Sequence, residues 1–159
     1  MSGDQNLAAK ASSRMTVNTF LLSTAIFAFF TTINLRKDLL FQKVLLAQLV
    51  LSMPLLMTST LAYSKVGYRD RIERWNLLGW MTFILGYAFI MNVIGILVAN
   101  VISPVLSIVF FASSCGLTLV YSIVDISYKR GVARERIAKD LLFITLQVVL
   151  GLLVALRVF

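Results

Sequence analysis

The sequence predicts an all-α fold, a polytopic transmembrane helical bundle of about five membrane-spanning helices joined by short connections. Of its 159 residues, 59% are hydrophobic and only 14% are charged, whereas a soluble domain has about a quarter charged residues. The charged residues are clustered. The apolar stretches between the clusters are about twenty residues long, the length that a helix needs to cross ~30 Å of hydrocarbon. The alternation typical of β-barrel strands is absent.

Five segments have the length of a membrane crossing, and they lie at residues 15–34, 44–63, 77–99, 104–127 and 141–159. Together they predict a single transmembrane domain over residues 15–159, preceded by a flexible cytoplasmic tail at residues 1–14. The apolar residues of the first segment lead directly into a charged connection, which favours an uncleaved signal anchor. Arg157 lies inside the last segment, and its side chain can extend to the headgroups, so a crossing is favoured over a hairpin.

The boundary between the third and fourth spans carries no charge and is predicted from turn chemistry. Residues 77–127 are too long for one crossing. Asn100 tolerates a turn, Ser103 can cap a helix, and Pro104 suits the first position of a helix. We therefore expect a tight helical hairpin here.

Positive charge predicts the orientation of the chain. Eleven lysines and arginines fall in the tail and in the second and fourth connections, against four on the other side. The positive-inside rule then places the N-terminus in the cytoplasm, in a cytoplasmic (inner) membrane. The basic first connection, residues 35–38, would face outward, so the orientation of the first hairpin stays open.

The second and fourth connections are basic and contain opposite charges four residues apart, a pattern typical of short amphipathic helices. We expect these connections to contact anionic lipid headgroups, with an acidic cytosolic protein as the alternative partner. The residues predicted to bind are Arg69, Arg71, Arg74, Lys129, Arg130, Arg134, Arg136 and Lys139.

The residue inventory argues against catalysis. The chain has no histidine and one cysteine, Cys115, which removes the commonest zinc ligand, the commonest general base and any internal disulfide. Only one acidic residue, Asp125, lies within a predicted span, so the paired carboxylates of an intramembrane aspartyl hydrolase are missing. We expect no enzymatic activity, no cofactor, no metal and no nucleic-acid partner.

The fourth span has a polar face. At about 100° per residue its polar side chains fall within a sector of ~80°, or beside it. These pore-lining candidates are Ser107, Ser114, Thr118, Tyr121, Ser122 and Asp125. A polar stripe is not expected against lipid, so it faces either protein or water. Helix packing, with partners such as Asn92 of the third span, and a water-lined pathway are the two interpretations.

Asp125 lies about two residues from the cytoplasmic end of the fourth span, and Lys129 follows four residues later. One interpretation is an interfacial ion pair between them. The other is a carboxylate that concentrates cations at the mouth of an oligomeric channel. Small residues four apart favour close helix contact and self-association, and they are Gly95 with Ala99, Ala112 with Gly116, and Gly151 with Ala155.

These patterns favour two functions. The first is a homo-oligomeric channel or pore for an ion or small solute, with the polar face of the fourth helix lining the path. The alternative is a non-enzymatic membrane sensor or anchor subunit that recruits a cytosolic partner through its basic loops, as in a stress or defence system. The channel ranks slightly above the sensor.

Overall fold

The computed structural model of the chain describes residues 3–34, 39–66, 72–128 and 133–156, with side chains except at residues 3–8, 39–41, 72, 125, 128 and 133–136. Within these ranges the backbone is almost entirely helical and contains no strand. The helices are α1 (Gly3–Asn34), α2 (Leu39–Val66), α3 (Ile72–Val101), α4 (Pro104–Tyr128), α5 (Ala133–Leu146) and the short α6 (Leu153–Ala155). A π-helical turn at Gln147–Leu152, here called the π segment, joins α5 to α6.

Five helical stretches of the described chain are long and apolar enough to cross a membrane, which confirms the predicted all-α fold of a multi-pass membrane protein. They are Ala9–Asn34, Gln42–Val66, Glu73–Val101, Pro104–Val124 and Ile137–Ala155. The fifth ends before Arg157, which lies outside the described residues.

The first helix is longer than its apolar span. α1 begins at Gly3 rather than near Met15, so the segment predicted as a flexible tail is helical in the structure. Its alanines are the best helix formers, and Ala11 is buried in one cluster with Tyr63 and Val66 of α2. Both local propensity and packing therefore extend the helix toward the N-terminus.

The hairpin between α3 and α4 has the predicted capping chemistry. α3 ends at Val101 and α4 begins at Pro104. The backbone N–H of Val105 donates to Ser103 Oγ at 3.2 Å, which is the bond expected of an N-cap residue. The backbone N–H of Ser103 donates to the Val98 carbonyl at 2.9 Å and closes the end of α3.

The chain divides into two compact units, Met1–Ile90 and Met91–Phe159. In the first unit, Asn18 Nδ2 donates to Ser59 Oγ at 2.9 Å, and Ser59 Oγ donates to the Gly79 carbonyl at 2.7 Å. All three residues are buried, so a short polar chain links α1, α2 and the first part of α3. Interhelical bonds of this kind contribute about 0.6–2 kcal/mol each in membrane proteins.

The second unit contains the last part of α3 together with α4, α5, the π segment and α6. α4 packs against α5 and the π segment. Its outer face is apolar and exposed, as at Val109, Leu117 and Ile123, and only 17% of the α4 span is buried. The inner face of α4 carries the buried Ser107 and Ser122.

Candidate functional site: the inner face of α4

The two ends of the polar face are hydrogen-bonded to neighbouring helices. Ser107 is fully buried, and its Oγ donates to the Gly95 carbonyl of α3 at 2.8 Å. Ser122 is also buried, and its hydroxyl donates to Oδ2 of Asp140 on α5. For these two candidates the structure shows interhelical packing, one of the two interpretations of the stripe.

Between these ends an aromatic side chain fills the space between two glycines. Phe111 is buried, and its ring lies against Gly95 of α3 and Gly151 of the π segment. A Cβ atom on Gly95 would lie 2.3 Å from Phe111 Cζ, and one on Gly151 would lie 2.6 Å from Cε1. Real Cβ atoms do not approach so closely, so both positions need glycine for the helices to pack around this ring.

The small residues proposed for self-association fall into two groups. Gly95 and Gly151 are buried against Phe111 inside the second unit, and their i+4 neighbours Ala99 and Ala155 are buried as well. Gly116 is exposed, and a Cβ there would have no neighbour within 4 Å. Its partner Ala112 is also exposed. Only the pair on the outer face of α4 is therefore available to another copy of the chain.

The middle of the polar face is half-buried. Ser114, Cys115 and Thr118 all have intermediate exposure. Thr118 Oγ1 donates to the Ser114 carbonyl at 2.9 Å, within its own helix, and Cys115 Sγ donates to Gln147 Oε1 at 3.8 Å. This part of α4 thus faces the π segment with polar atoms.

The remaining candidates of α4 lie toward its end. Tyr121 is 60% exposed. Asp125 belongs to α4, but its side chain lies outside the described residues, so neither the ion pair with Lys129 nor the role at a channel mouth is tested.

Asn92 of α3 also contacts the π segment. It is fully buried, and its Nδ2 donates to the Leu146 carbonyl at 3.2 Å. Its Oδ1 lies 2.5 Å from the position that a Cβ on Gly151 would occupy. The Asn92 amide therefore lies against the turn where α5 becomes π-helical, a departure from α-helix that is frequent at functional sites.

Two buried amide atoms lack a hydrogen-bond partner at this turn. Among the described residues nothing pairs with Asn92 Oδ1, an acceptor, or with Gln147 Nε2, a donor, although both residues are fully buried. An unsatisfied buried polar group costs about 1–3 kcal/mol. We call Asn92 and Gln147 the amide pair.

Sequence reasoning named Asn92 as a possible packing partner and missed Gln147. The signal was present, because Gln147 is the single amide in the predicted fifth span. The predicted binding residues of the connections are only partly described. Arg74 is exposed near the start of α3, and Lys139 is half-buried in α5. The side chains of the others, Arg69, Arg71, Lys129, Arg130, Arg134 and Arg136, lie outside the described residues.

In the described part of the chain no three His, Cys, Asp or Glu side chains are grouped so that they could hold a metal ion. Comparisons of the chain with protein-family models, with curated proteins and with solved structures found no match.

Proposed function

We propose that this non-enzymatic membrane protein is the subunit of a homo-oligomeric channel or pore for an ion or small polar solute. In this proposal the polar face of α4 lines the path, next to Gln147 of the π segment, which accepts a hydrogen bond from Cys115. The amide pair is the observation that carries the proposal. A donor and an acceptor that are both buried and unsatisfied are suited to a polar species that enters between the helices.

The energetics favour a functional role for the amide pair. Two apolar side chains of similar shape would fill the same space without the cost of unsatisfied polar atoms. Polar groups inside membrane domains are accordingly associated with substrate and ion pathways. The amides of Asn92 and Gln147 can replace part of the hydration that a solute loses when it leaves water.

The inner face of α4 has the length that a pathway needs. From Ser107 to Ser122 the helix rises by ~22 Å, which is most of the ~30 Å of hydrocarbon. The half-buried Ser114, Cys115 and Thr118 supply polar atoms along the middle of this distance. Hydrogen bonds from Ser107 to Gly95 and from Ser122 to Asp140 fix the two ends of this face to neighbouring helices.

The outer face of α4 supports the homo-oligomeric part of the proposal. The exposed Ala112 and Gly116 are four residues apart, which lets helices of two copies approach closely. In this arrangement each copy contributes its own inner face, and the small residues of the outer face serve assembly.

The decisive test is Gln147→Leu in purified protein reconstituted into liposomes. Leucine removes the amide but keeps much of the volume, so we expect a stability equal to or above wild type and a severalfold lower flux of ions or small solutes. Ser113→Ala on the exposed face of α4 is the control and should conduct as wild type.

A folded Gln147→Leu variant with the flux of the wild type would contradict the pathway. Wild-type protein that passes no ion or solute, and that retrieves a cytosolic protein through Arg69, Arg71, Arg134 and Arg136, would establish the sensor instead.

A further inference from the structure

Arg14 of α1 is held by two other helices of the first unit. Its Nη1 donates to Tyr63 Oη of α2 at 2.7 Å and to Asn76 Oδ1 of α3 at 3.3 Å. The guanidinium carbon also lies 5.0 Å from the centroid of the Tyr63 ring, within the range of a cation–π interaction. Three contacts thus fix the position of one half-buried cation.

The surroundings of Arg14 are apolar and aromatic. Tyr63 is 1% exposed and belongs to a buried cluster with Ala11 and Val66. Met15, Trp75 and Trp80 are partly buried and pack against this cluster. The guanidinium therefore lies against apolar side chains, which strengthens its electrostatic interactions relative to those of a cation in bulk water.

The described partners of Arg14 are all neutral. Within the part of the chain that the structure describes, it bonds to a phenol, an aromatic ring and an amide, and to no carboxylate. A guanidinium has five N–H donors, and both of these hydrogen bonds come from Nη1. Since no described residue supplies a counter-charge to this half-buried cation, an anion that accepts two hydrogen bonds would stabilise it.

Two other described charges at this end of the unit are positive. Lys65 and Arg74 are exposed, each two residues from a partner of Arg14. Glu73 is the acidic residue described in the first turn of α3. An approaching anion therefore meets an excess of positive charge.

The depth of the site corresponds to the headgroup layer of a bilayer. Tyr63 precedes the end of α2 at Val66 by about one turn, and Asn76 follows the start of α3 at Ile72 by about one turn, so both lie ~5 Å inside the helix ends. Tryptophan and tyrosine prefer this layer, as Trp75 and Tyr63 illustrate. The anion concentrated at this depth is the phosphate of a phospholipid.

We propose that Arg14 binds the phosphate of an anionic phospholipid, with Tyr63 and Asn76 as positioning residues for the guanidinium. Trp75 and Trp80 lie beside the site and pack against the lipid below its headgroup. The site belongs to the first unit and does not depend on the proposed pathway in the second. It differs from the exposed Lys65 and Arg74, because its arginine is oriented by the buried Tyr63 and the half-buried Asn76.

The test compares Arg14→Gln with Arg74→Gln in nanodiscs that contain a minor fraction of phosphatidylglycerol in phosphatidylcholine. Native mass spectrometry measures the phosphatidylglycerol retained by each chain. Arg14→Gln should weaken binding by roughly tenfold or more, the loss expected for charge-assisted hydrogen bonds. Arg74→Gln, a cation of similar charge on the exposed surface, should weaken it by no more than about fivefold.

Two further variants keep the test independent of folding. Arg14→Lys keeps the positive charge but removes the planar guanidinium with its paired N–H donors. This variant should therefore bind less phosphatidylglycerol than the wild type. Tyr63→Phe keeps the ring and removes only the hydroxyl that orients Arg14, and should weaken binding severalfold. Tryptophan fluorescence, which reports on Trp75 and Trp80, verifies that each variant is folded.

Equal retention by wild type and Arg14→Gln would overturn the proposal, as would equal losses in Arg14→Gln and Arg74→Gln, since they indicate nonspecific surface charge. Inorganic phosphate is tested separately in lipid-free detergent. If phosphate raises the melting temperature of the wild type but not that of Arg14→Gln, the site binds soluble phosphate. That result would overturn the proposal of a lipid ligand. Absence of that stabilisation, with retained phosphatidylglycerol, supports the proposal.

Discussion

Gly95→Ala tests the packing that aligns α3, α4 and the π segment. The added Cβ would lie 2.3 Å from Phe111 Cζ and 2.5 Å from Cε2, whereas carbon atoms in contact are about 3.5–4.0 Å apart. The ring would have to withdraw by roughly 1.2 Å to restore the shortest of these contacts. The same ring lies against Gly151, so its room to move is small.

The expected cost follows from two opposing terms. Overpacking of a well-packed core costs about 1–3 kcal/mol. Replacing a helical glycine by alanine stabilises the helix by up to about 1 kcal/mol, because alanine has the higher helix propensity. We therefore expect Gly95→Ala to lower the free energy of unfolding by about 1–2 kcal/mol. Titration with SDS in bicelles, followed by far-ultraviolet circular dichroism, measures this quantity.

Gly116→Ala is the matched control because a Cβ at Gly116 meets no atom within 4 Å. That variant should be as stable as the wild type or slightly more stable. Phe111→Leu supplies the second control, since a smaller side chain leaves room for the new Cβ and should abolish the extra cost of Gly95→Ala. If Gly95→Ala is as stable as Gly116→Ala, or if its cost persists beside Phe111→Leu, the inferred contact is wrong.

Two further predictions concern single hydrogen bonds. Ser59→Ala leaves the buried Asn18 amide without its described partner and should lower the free energy of unfolding by about 1–2 kcal/mol in the same titration. Ser23→Ala, an exposed hydroxyl bonded only within α1, should have no measurable effect. Ser103→Ala removes the cap on Val105 and should cost about 1 kcal/mol, with faster amide exchange in the first turn of α4. Unchanged exchange there would argue against the cap.

The number and type of the spans could be predicted from the sequence because the bilayer imposes them. Hydrocarbon thickness sets the length of each helix, and the exclusion of charge marks its ends. The α3 to α4 hairpin was also predictable, since Ser103 and Pro104 act through local backbone chemistry. The helical start of α1 was only partly predictable, since its alanines favour a helix locally but Ala11 is buried through Tyr63 and Val66 of another helix.

The inner face of α4 was half predictable. Helical periodicity places its polar residues on one side but does not specify what that side meets. The structure supplies α3 for Ser107 and α5 for Ser122. No local sequence pattern predicts the π-helical turn at Gln147.

Arg14 shows the same limit for a binding site. In the sequence it is one of several basic residues near the first span, and the positive-inside rule explains it sufficiently. Its partners lie 49 and 62 residues away along the chain, so only the fold brings the phenol and the amide to one guanidinium. Local pattern identifies the charge, and tertiary structure distinguishes a positioned cation from an ordinary surface one.

Packing and the proposed conduction are compatible explanations of the inner face of α4. The hydrogen bonds of Ser107 and Ser122 fix this helix to its neighbours at two heights, and Phe111 fills the space between Gly95 and Gly151. Packing accounts for the bonds of Asn92 Nδ2 and Gln147 Oε1, but not for Asn92 Oδ1 and Gln147 Nε2, which have no partner among the described residues. A rigid frame with unsatisfied polar atoms at its centre is what a selective pathway requires, because fixed donors and acceptors can replace the solvent that a solute leaves behind.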